Sequence, residues 1–219
     1  MLNCGLGILL IPAFGVLFLI KGQMILDIVN NVLEIRPGFT EILLCTALCA
    51  LAAMIDVSAP SVSLEGKSIW IPQSLPIKPN VVLRAKAAMQ LILSLPPMLF
   101  AVICAAVVLQ NPAAEKLVIC LVPIIYTVFY TAFGSFLGIK MPMLNWSNET
   151  IPIKQSGVIA IALFGSWAIT VIFAGVYLWI GHQIGTVRYL ALWAVLLAAA
   201  ALILFRWLDT KGSKKFAEL

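Results

Sequence analysis

The segment Ser58–Lys86, with the sequence SAPSVSLEGKSIWIPQSLPIKPNVVLRAK, is a polar interruption between long apolar runs. Its charged, serine and proline residues make it too polar to enter lipid. It also contains Trp70, Leu75 and Ile77, which a passive linker does not need. The pattern predicts a loop that is held at one face of a membrane and meets a partner there.

The composition around this loop excludes an ordinary soluble domain. Hydrophobic residues make up 63% of the 219 residues and charged residues 11%, against about half and about a quarter in soluble domains. The mean hydropathy is +1.09. A helix needs about 20 apolar residues to cross a hydrocarbon core about 30 Å thick. The sequence therefore predicts one all-α, polytopic membrane helix bundle over residues 1–219, with six transmembrane helices at about 2–20, 39–57, 87–109, 117–138, 157–180 and 187–207.

Basic residues are divided unevenly between the two sides of this predicted bundle. With six spans, both termini and the loops after spans two and four share one side. That side carries ten Lys and Arg residues and the other side carries four, which predicts cytoplasmic termini and a cytoplasmic 58–86 loop. The net charge of +5 then reflects topology rather than nucleic-acid binding. The ten are Lys67, Lys78, Arg84, Lys86, Lys140, Lys154, Arg206, Lys211, Lys214 and Lys215.

The predicted spans lack the groups on which ion-coupled carriers and membrane enzymes depend. Charged residues are absent from the middle of every span, and Glu41 and Asp56 stand only at the ends of the second. The single histidine, His182, falls in an outer turn. Gly66-Lys67-Ser68 matches the last three residues of the phosphate-binding P-loop motif, but position 61 is Ser where that motif needs Gly. We expect no catalytic residue, no metal site and no cofactor in this chain.

Other features of the spans predict packing. Gly134 and Gly138 form a G-x-x-x-G pattern, which predicts a close approach of another helix. Tyr and Thr residues repeated at i, i+4 give the same span a polar stripe, formed by Tyr126, Thr127, Tyr130 and Thr131. The stripe could pack against other helices, which we favour, or line a substrate path. Met24–Arg36 is amphipathic at helical spacing, which predicts a short separate helix at the outer interface or over the bundle.

Two motifs in the predicted cytoplasmic loops resemble a bacterial family of ATP-binding-cassette (ABC) exporter permeases of the type-2 class. The first is Ser63-x-Glu65-Gly66-Lys67-x-x-Trp70-x-x-x-Ser74-Leu75-Pro76-Ile77, followed by Leu83-x-Ala85-Lys86. The second is Pro142-x-x-x-Trp146-x-Asn148-Glu149, followed by Pro152-x-Lys154-Gln155-Ser156. Family members are longer, and this chain resembles their C-terminal half. A fragment, a split gene product and a shorter homologue that forms a homodimer all remain open.

The resemblance implies a permease subunit in the bacterial cell membrane that pairs with a separate cytoplasmic ABC ATPase and is not itself an enzyme. Trp70 and Leu75 would anchor the partner in an apolar cleft, while Glu65 and Lys67 would set the register. The coupling residues implied are Glu65, Gly66, Lys67, Trp70, Ser74, Leu75 and Pro76, and a second contact is implied at Trp146, Asn148, Glu149 and Lys154.

Two other functions remain open from the sequence. A non-transport membrane scaffold or accessory subunit would carry the same loop without nucleotide-linked motion. An intramembrane enzyme would need paired polar residues facing one cavity, and the spans offer only Tyr, Thr, Ser and Cys for that purpose.

Overall fold

The computed structural model describes the backbone of residues 2–33, 38–148, 150–154 and 156–219. Side chains are described for these residues except 2–5, 32–33, 153–154 and 182. Within these ranges the protein is all-helical and contains no strand. Its six principal helices are α1 (Leu2–Leu33), α2 (Phe39–Ala52), α3 (Pro79–Val108), α4 (Ala113–Lys140), α5 (Gly157–Val176) and α6 (Thr186–Trp207).

Shorter helical pieces connect or extend these six. A 3₁₀ segment and a short helix lie between α2 and α3, another short helix precedes α5, and π-helical turns extend α5 and α6. Their bounds are Ser63–Ser68, Trp70–Ser74, Thr150–Lys154, Tyr177–Gly181, His182–Ile184, Leu208–Gly212 and Ser213–Ala217.

Five helices are long and apolar enough to cross a membrane, so the fold is that of a multi-pass membrane protein. They are α1, α3, α4 and the helices formed by α5 and α6 with their extensions. The prediction of six full-length spans is not confirmed, because α2 has only 14 residues. At 1.5 Å per residue it is about 21 Å long, shorter than the hydrocarbon core.

The end of α2 differs from the predicted span for a local reason. The helix ends at Ala52, and turns continue through Val62. Asp56, Ser58 and Pro60 occupy this stretch, and all three residue types favour turns over continued helix. Residues 53–63 are nevertheless largely buried, with Ile55, Ser58 and Ala59 fully enclosed. We call residues 53–63 the buried turn.

Helix α1 also differs from expectation, because it continues without a break past Pro12 to Leu33. The amphipathic stretch predicted as a separate helix is the end of α1, while residues 34–36 of that stretch lie outside the described part of the chain. Helix α1 packs on α3 through its glycines: a Cβ on Gly15 would lie 2.9 Å from Ala101 Cα. The small residues let the two backbones approach closely.

Besides a small cluster of Ala59, Leu137, Val158 and Ala162, two hydrophobic cores hold the described residues together. The larger lies within the bundle, where α4 is the most buried of the spanning helices. The smaller lies at the end that carries the C-terminus and the predicted cytoplasmic loops, and its members are Val62, Ile69, Leu83, Ile139, Leu208 and Phe216. We call this end of the protein the cap: it comprises the described residues of 53–78, 141–154 and 208–219.

Candidate functional site

The two glycines of the G-x-x-x-G pattern on α4 face the buried turn. A Cβ on Gly138 would overlap the carbonyl oxygen of Ala59, and a Cβ on Gly134 would overlap the hydroxyl of Ser58. The predicted close approach is therefore present, but its partner is turn backbone rather than a second helix. At Gly138 the obstacle to a larger residue is backbone, whereas at Gly134 it is the Ser58 side chain.

Gln90 on α3 supplies hydrogen bonds to the same turn. Its side chain is fully buried, its amide nitrogen donates to the Ile55 carbonyl oxygen, and its Oε1 accepts from Val57 N–H at 2.7 Å. These bonds replace those that the backbone lost where α2 ended, as buried backbone groups require. Gln90 was not among the predicted site residues, although a glutamine inside an apolar run is a visible signal.

Asp56 brings a carboxylate into the buried turn, outside the five spanning helices. Its side chain accepts from Ala59 N–H at 3.1 Å and from the Tyr130 hydroxyl of α4. Burial raises the pKa of Asp56 to about 6, and the two hydrogen bonds oppose that rise by stabilising the charged form. The charged form is therefore tolerated at neutral pH but costs stability.

The raised pKa of Asp56 predicts a protein that becomes more stable on mild acidification. Between pH 3.8 and about 6 the folded state binds the Asp56 proton more tightly than the unfolded state. The free energy of unfolding should therefore rise as the pH falls from about 6. Asp56→Asn should remove this dependence and raise the free energy of unfolding at pH 7.5 by about 3 kcal/mol. Thermal unfolding in detergent across this pH range measures both effects, and equal slopes for the two proteins would contradict the assignment.

Glu65 is paired within the chain. Its carboxylate lies 2.6 Å from the Lys86 ammonium group on α3, and Lys86 also donates to the Ser61 carbonyl oxygen at 2.8 Å. Both side chains are largely buried. Glu65 therefore attaches the loop to α3. Its charge is paired inside the protein, whereas the predicted role in setting the register of a partner needs a charge that faces outward.

Gly66 and Trp146 join the two predicted loops to each other. Gly66 has φ +49°, a left-handed conformation that favours glycine, and a Cβ there would lie 2.8 Å from the Trp146 ring. Trp146 Nε1 donates to the Ser63 carbonyl oxygen at 2.7 Å, and Met143 N–H donates to the Ser63 hydroxyl at 3.0 Å. The structure thus places Trp146 as a support for the first loop.

The remaining residues of the first motif are at the surface. Trp70 has an exposed fraction of 62% and Leu75 of 48%, and the neighbouring Ile71 and Ile77 are exposed to a similar extent. Lys67, Ser74 and Pro76 are also exposed. The short helix Trp70–Ser74 and the extended residues after it therefore present an apolar surface, which we call the Trp70 surface.

The second motif is described only in part. Asn148 is exposed, and its side chain accepts from Thr150 N–H at 3.1 Å at the start of the short helix before α5. Glu149 and the side chain of Lys154 lie outside the described residues. Of the predicted site residues, the structure brings together Glu65, Gly66 and Trp146 and leaves Asn148 near the surface.

The C-terminal tail holds the first loop from the other side, a contact that no motif in the sequence predicted. Arg84 of α3 makes a two-pronged ion pair with Asp209, at 2.8 and 2.7 Å. Gln73 donates to the Phe216 carbonyl oxygen at 2.7 Å, and the Phe216 ring is buried in the smaller core. In the sequence, the aromatic residue Phe216 within an otherwise basic tail is the feature that indicates packing of this tail.

The polar stripe of α4 is used inside the bundle. The Thr127 and Thr131 hydroxyls donate to carbonyl oxygens one turn earlier, both at 2.9 Å. The Tyr126 hydroxyl donates to the Ser166 carbonyl oxygen of α5 at 3.0 Å. This geometry matches the packing interpretation, since these donors already have acceptors within the protein.

Together, fold and site define a multi-pass membrane protein with a folded cap and an exposed apolar surface on it. Among the described residues, no three His, Cys, Asp or Glu side chains are grouped so that they could hold a metal ion. No protein-family model, curated protein or solved structure matches this chain.

Proposed function

We propose that this protein is the membrane permease subunit of an ATP-driven ABC exporter and that a separate cytoplasmic ATPase docks on its 58–86 loop. The observation that carries the proposal is the Trp70 surface: exposed apolar side chains on a loop that is otherwise firmly attached to the bundle. Exposed Trp and Leu on a rigid support have the character of interface anchors. Lys67 and Lys78 flank them and would contact acidic residues of the partner.

The attachments of this loop suit the transmission of movement. The Glu65–Lys86 pair ties it to α3, Trp146 ties it to the segment after α4, and the buried turn rests on Gly134 and Gly138. A displacement of the Trp70 surface would therefore reach α3 and α4 rather than being absorbed in a flexible linker. In this assignment Glu65 and Gly66 position the loop, while Lys67, Trp70, Ser74, Leu75 and Pro76 face the ATPase.

We further propose six membrane crossings, in which α2 is the second and the buried turn follows it at the cap end. Gly7, near the start of α1, lies against Ile55 of the buried turn, which supports placing the N-terminus at the cap end. The C-terminal tail packs on the cap, and the cap carries the excess of basic residues. By the positive-inside rule the cap and both termini would face the cytoplasm of a bacterial cell membrane.

Trp70→Ala should abolish co-purification of the partner ATPase while leaving the permease folded. The side chain is 62% exposed, so its loss creates no cavity, whereas an anchor of this kind contributes about 2 kcal/mol or more to binding. The measurement is quantitative mass spectrometry of the chain purified in detergent from its native host. Trp179→Ala is the matched control, because Trp179 is 79% exposed and belongs to the opposite end of the bundle.

Either of two results would count against the proposed function. If no ATPase accompanies an abundant, folded preparation, the chain is better explained as a membrane scaffold. If an ATPase is present and survives Trp70→Ala unchanged, the docking surface lies elsewhere.

A further inference from the structure

A cleft of about 390 Å³ opens at the end of the bundle opposite the cap. Its walls come from the start of α2, the α3–α4 connection and the start of α6. Charged and polar side chains of both signs line it: Glu41, Asn111, Glu115, Thr186 and Arg188. A cleft of this size and mixed charge suits a small zwitterionic group.

Two carboxylates lie close together on one side of this cleft. The Asn111 amide nitrogen donates to Glu41 at 3.0 Å and to Glu115 at 3.2 Å, using one oxygen of each. A carboxylate can accept several hydrogen bonds, so both retain the capacity to accept from an ammonium group. Arg188, by contrast, can donate two parallel hydrogen bonds to the oxygens of a phosphate.

A second cavity continues from the cleft along the outer face of α6. It has a volume of about 420 Å³ and is lined by Ile184, Arg188, Ala191, Leu192 and Val195. Ile184 and Arg188 line both cavities, so the polar cleft and the apolar groove meet at these two residues. Residues 188, 191, 192 and 195 follow helical spacing, so the groove runs along one side of a membrane-spanning helix.

We propose that the cleft and the groove together bind a phospholipid whose headgroup carries a primary amine. Arg188 binds the phosphate, Glu41 and Glu115 bind the ammonium group, and an acyl chain follows the groove past Ala191 and Val195. The first turns of α4 and α6 line the cleft, which places it at headgroup depth. This site is independent of the proposed ATPase partner and lies at the opposite end of the protein.

The test is a lipid titration of the detergent-purified full chain, followed by native mass spectrometry. The probes are phosphatidylethanolamine, phosphatidylglycerol and phosphatidylcholine with identical acyl chains, and soluble O-phosphoethanolamine as competitor. Phosphatidylethanolamine should bind about tenfold more tightly than the other two, because neither offers N–H donors to the carboxylates. O-phosphoethanolamine should compete only weakly, because it cannot occupy the groove.

Variants separate the three parts of the site. Arg188→Gln should weaken phosphatidylethanolamine binding about tenfold, while the control Lys116→Gln, a nearby cation outside the cleft, should leave it unchanged. Glu115→Gln should reduce the preference over phosphatidylglycerol, and Ala191→Trp should block the groove and lower the binding of all three lipids.

Two outcomes would overturn the lipid site. The first is equal binding of the three lipids with no difference between Arg188→Gln and Lys116→Gln. The second is full competition by O-phosphoethanolamine, which would make the cleft a site for a soluble zwitterion instead.

Discussion

Gly138→Leu is expected to lower the free energy of unfolding by about 3 kcal/mol or more, the upper range for overpacking a buried site. The first added atom alone would overlap the carbonyl oxygen of Ala59, and Ala59 is fully buried, so the backbone itself would have to shift. The buried turn would have to leave α4. Because that turn carries the start of the 58–86 loop, the cap should loosen as well.

Gly175→Leu is the matched control for this substitution. Gly175 also lies in a spanning helix, but a Cβ there meets no atom within 4 Å. The two variants have the same composition, so a difference in their thermal midpoints in detergent reports the contact at Gly138. Equal midpoints would show that α4 and the buried turn do not touch as described.

Gln90→Leu is expected to lower the free energy of unfolding by about 3 kcal/mol, since one buried and one partly buried backbone group lose their hydrogen-bond partner. Leucine has a similar size and is common in apolar membrane spans, so hydrophobicity alone predicts little change in stability. The structure predicts otherwise, because the Gln90 side chain bonds both the Ile55 carbonyl oxygen and Val57 N–H. Thermal unfolding measures the loss.

A second measurement makes the Gln90 prediction specific to the buried turn. Hydrogen exchange at Val57 N–H should accelerate in Gln90→Leu, because that amide donates to the glutamine oxygen. Gln110→Leu, at an exposed position near the other end of α3, should change neither stability nor exchange at Val57. Unchanged protection of Val57 in Gln90→Leu would mean that another group holds the turn.

These substitutions probe one junction from two helices, and the junction bears on the proposed coupling. Gly138 lies on α4 and Gln90 on α3, and both hold the turn that leads into the loop with the Trp70 surface. If the loop transmits ATPase movement, variants at this junction should uncouple nucleotide hydrolysis from transport.

The sequence by itself determined the class of fold, because crossing a membrane depends on the length and hydropathy of each run taken alone. The helical bundle and the five long apolar helices follow from that local property. The predicted 58–86 loop is not confirmed as such, because its residues 79–86 form the first turns of α3. The α2 region also shows the limit of this local property. An apolar run of sufficient length was predicted as a span, but its last residues form the buried turn. Gln90 supplies hydrogen bonds to that turn, and the α4 glycines leave space for it.

Only the tertiary structure decided which loop residues are internal and which are exposed. Glu65 and Trp70 stand five positions apart in one motif and were assigned to the same contact. The fold pairs Glu65 with Lys86 and leaves Trp70 at the surface. Trp146 likewise became a support for Gly66, 80 residues earlier in the chain. A side chain's partner depends on which distant segments pack together, and that information is not contained in the spacing of any one motif.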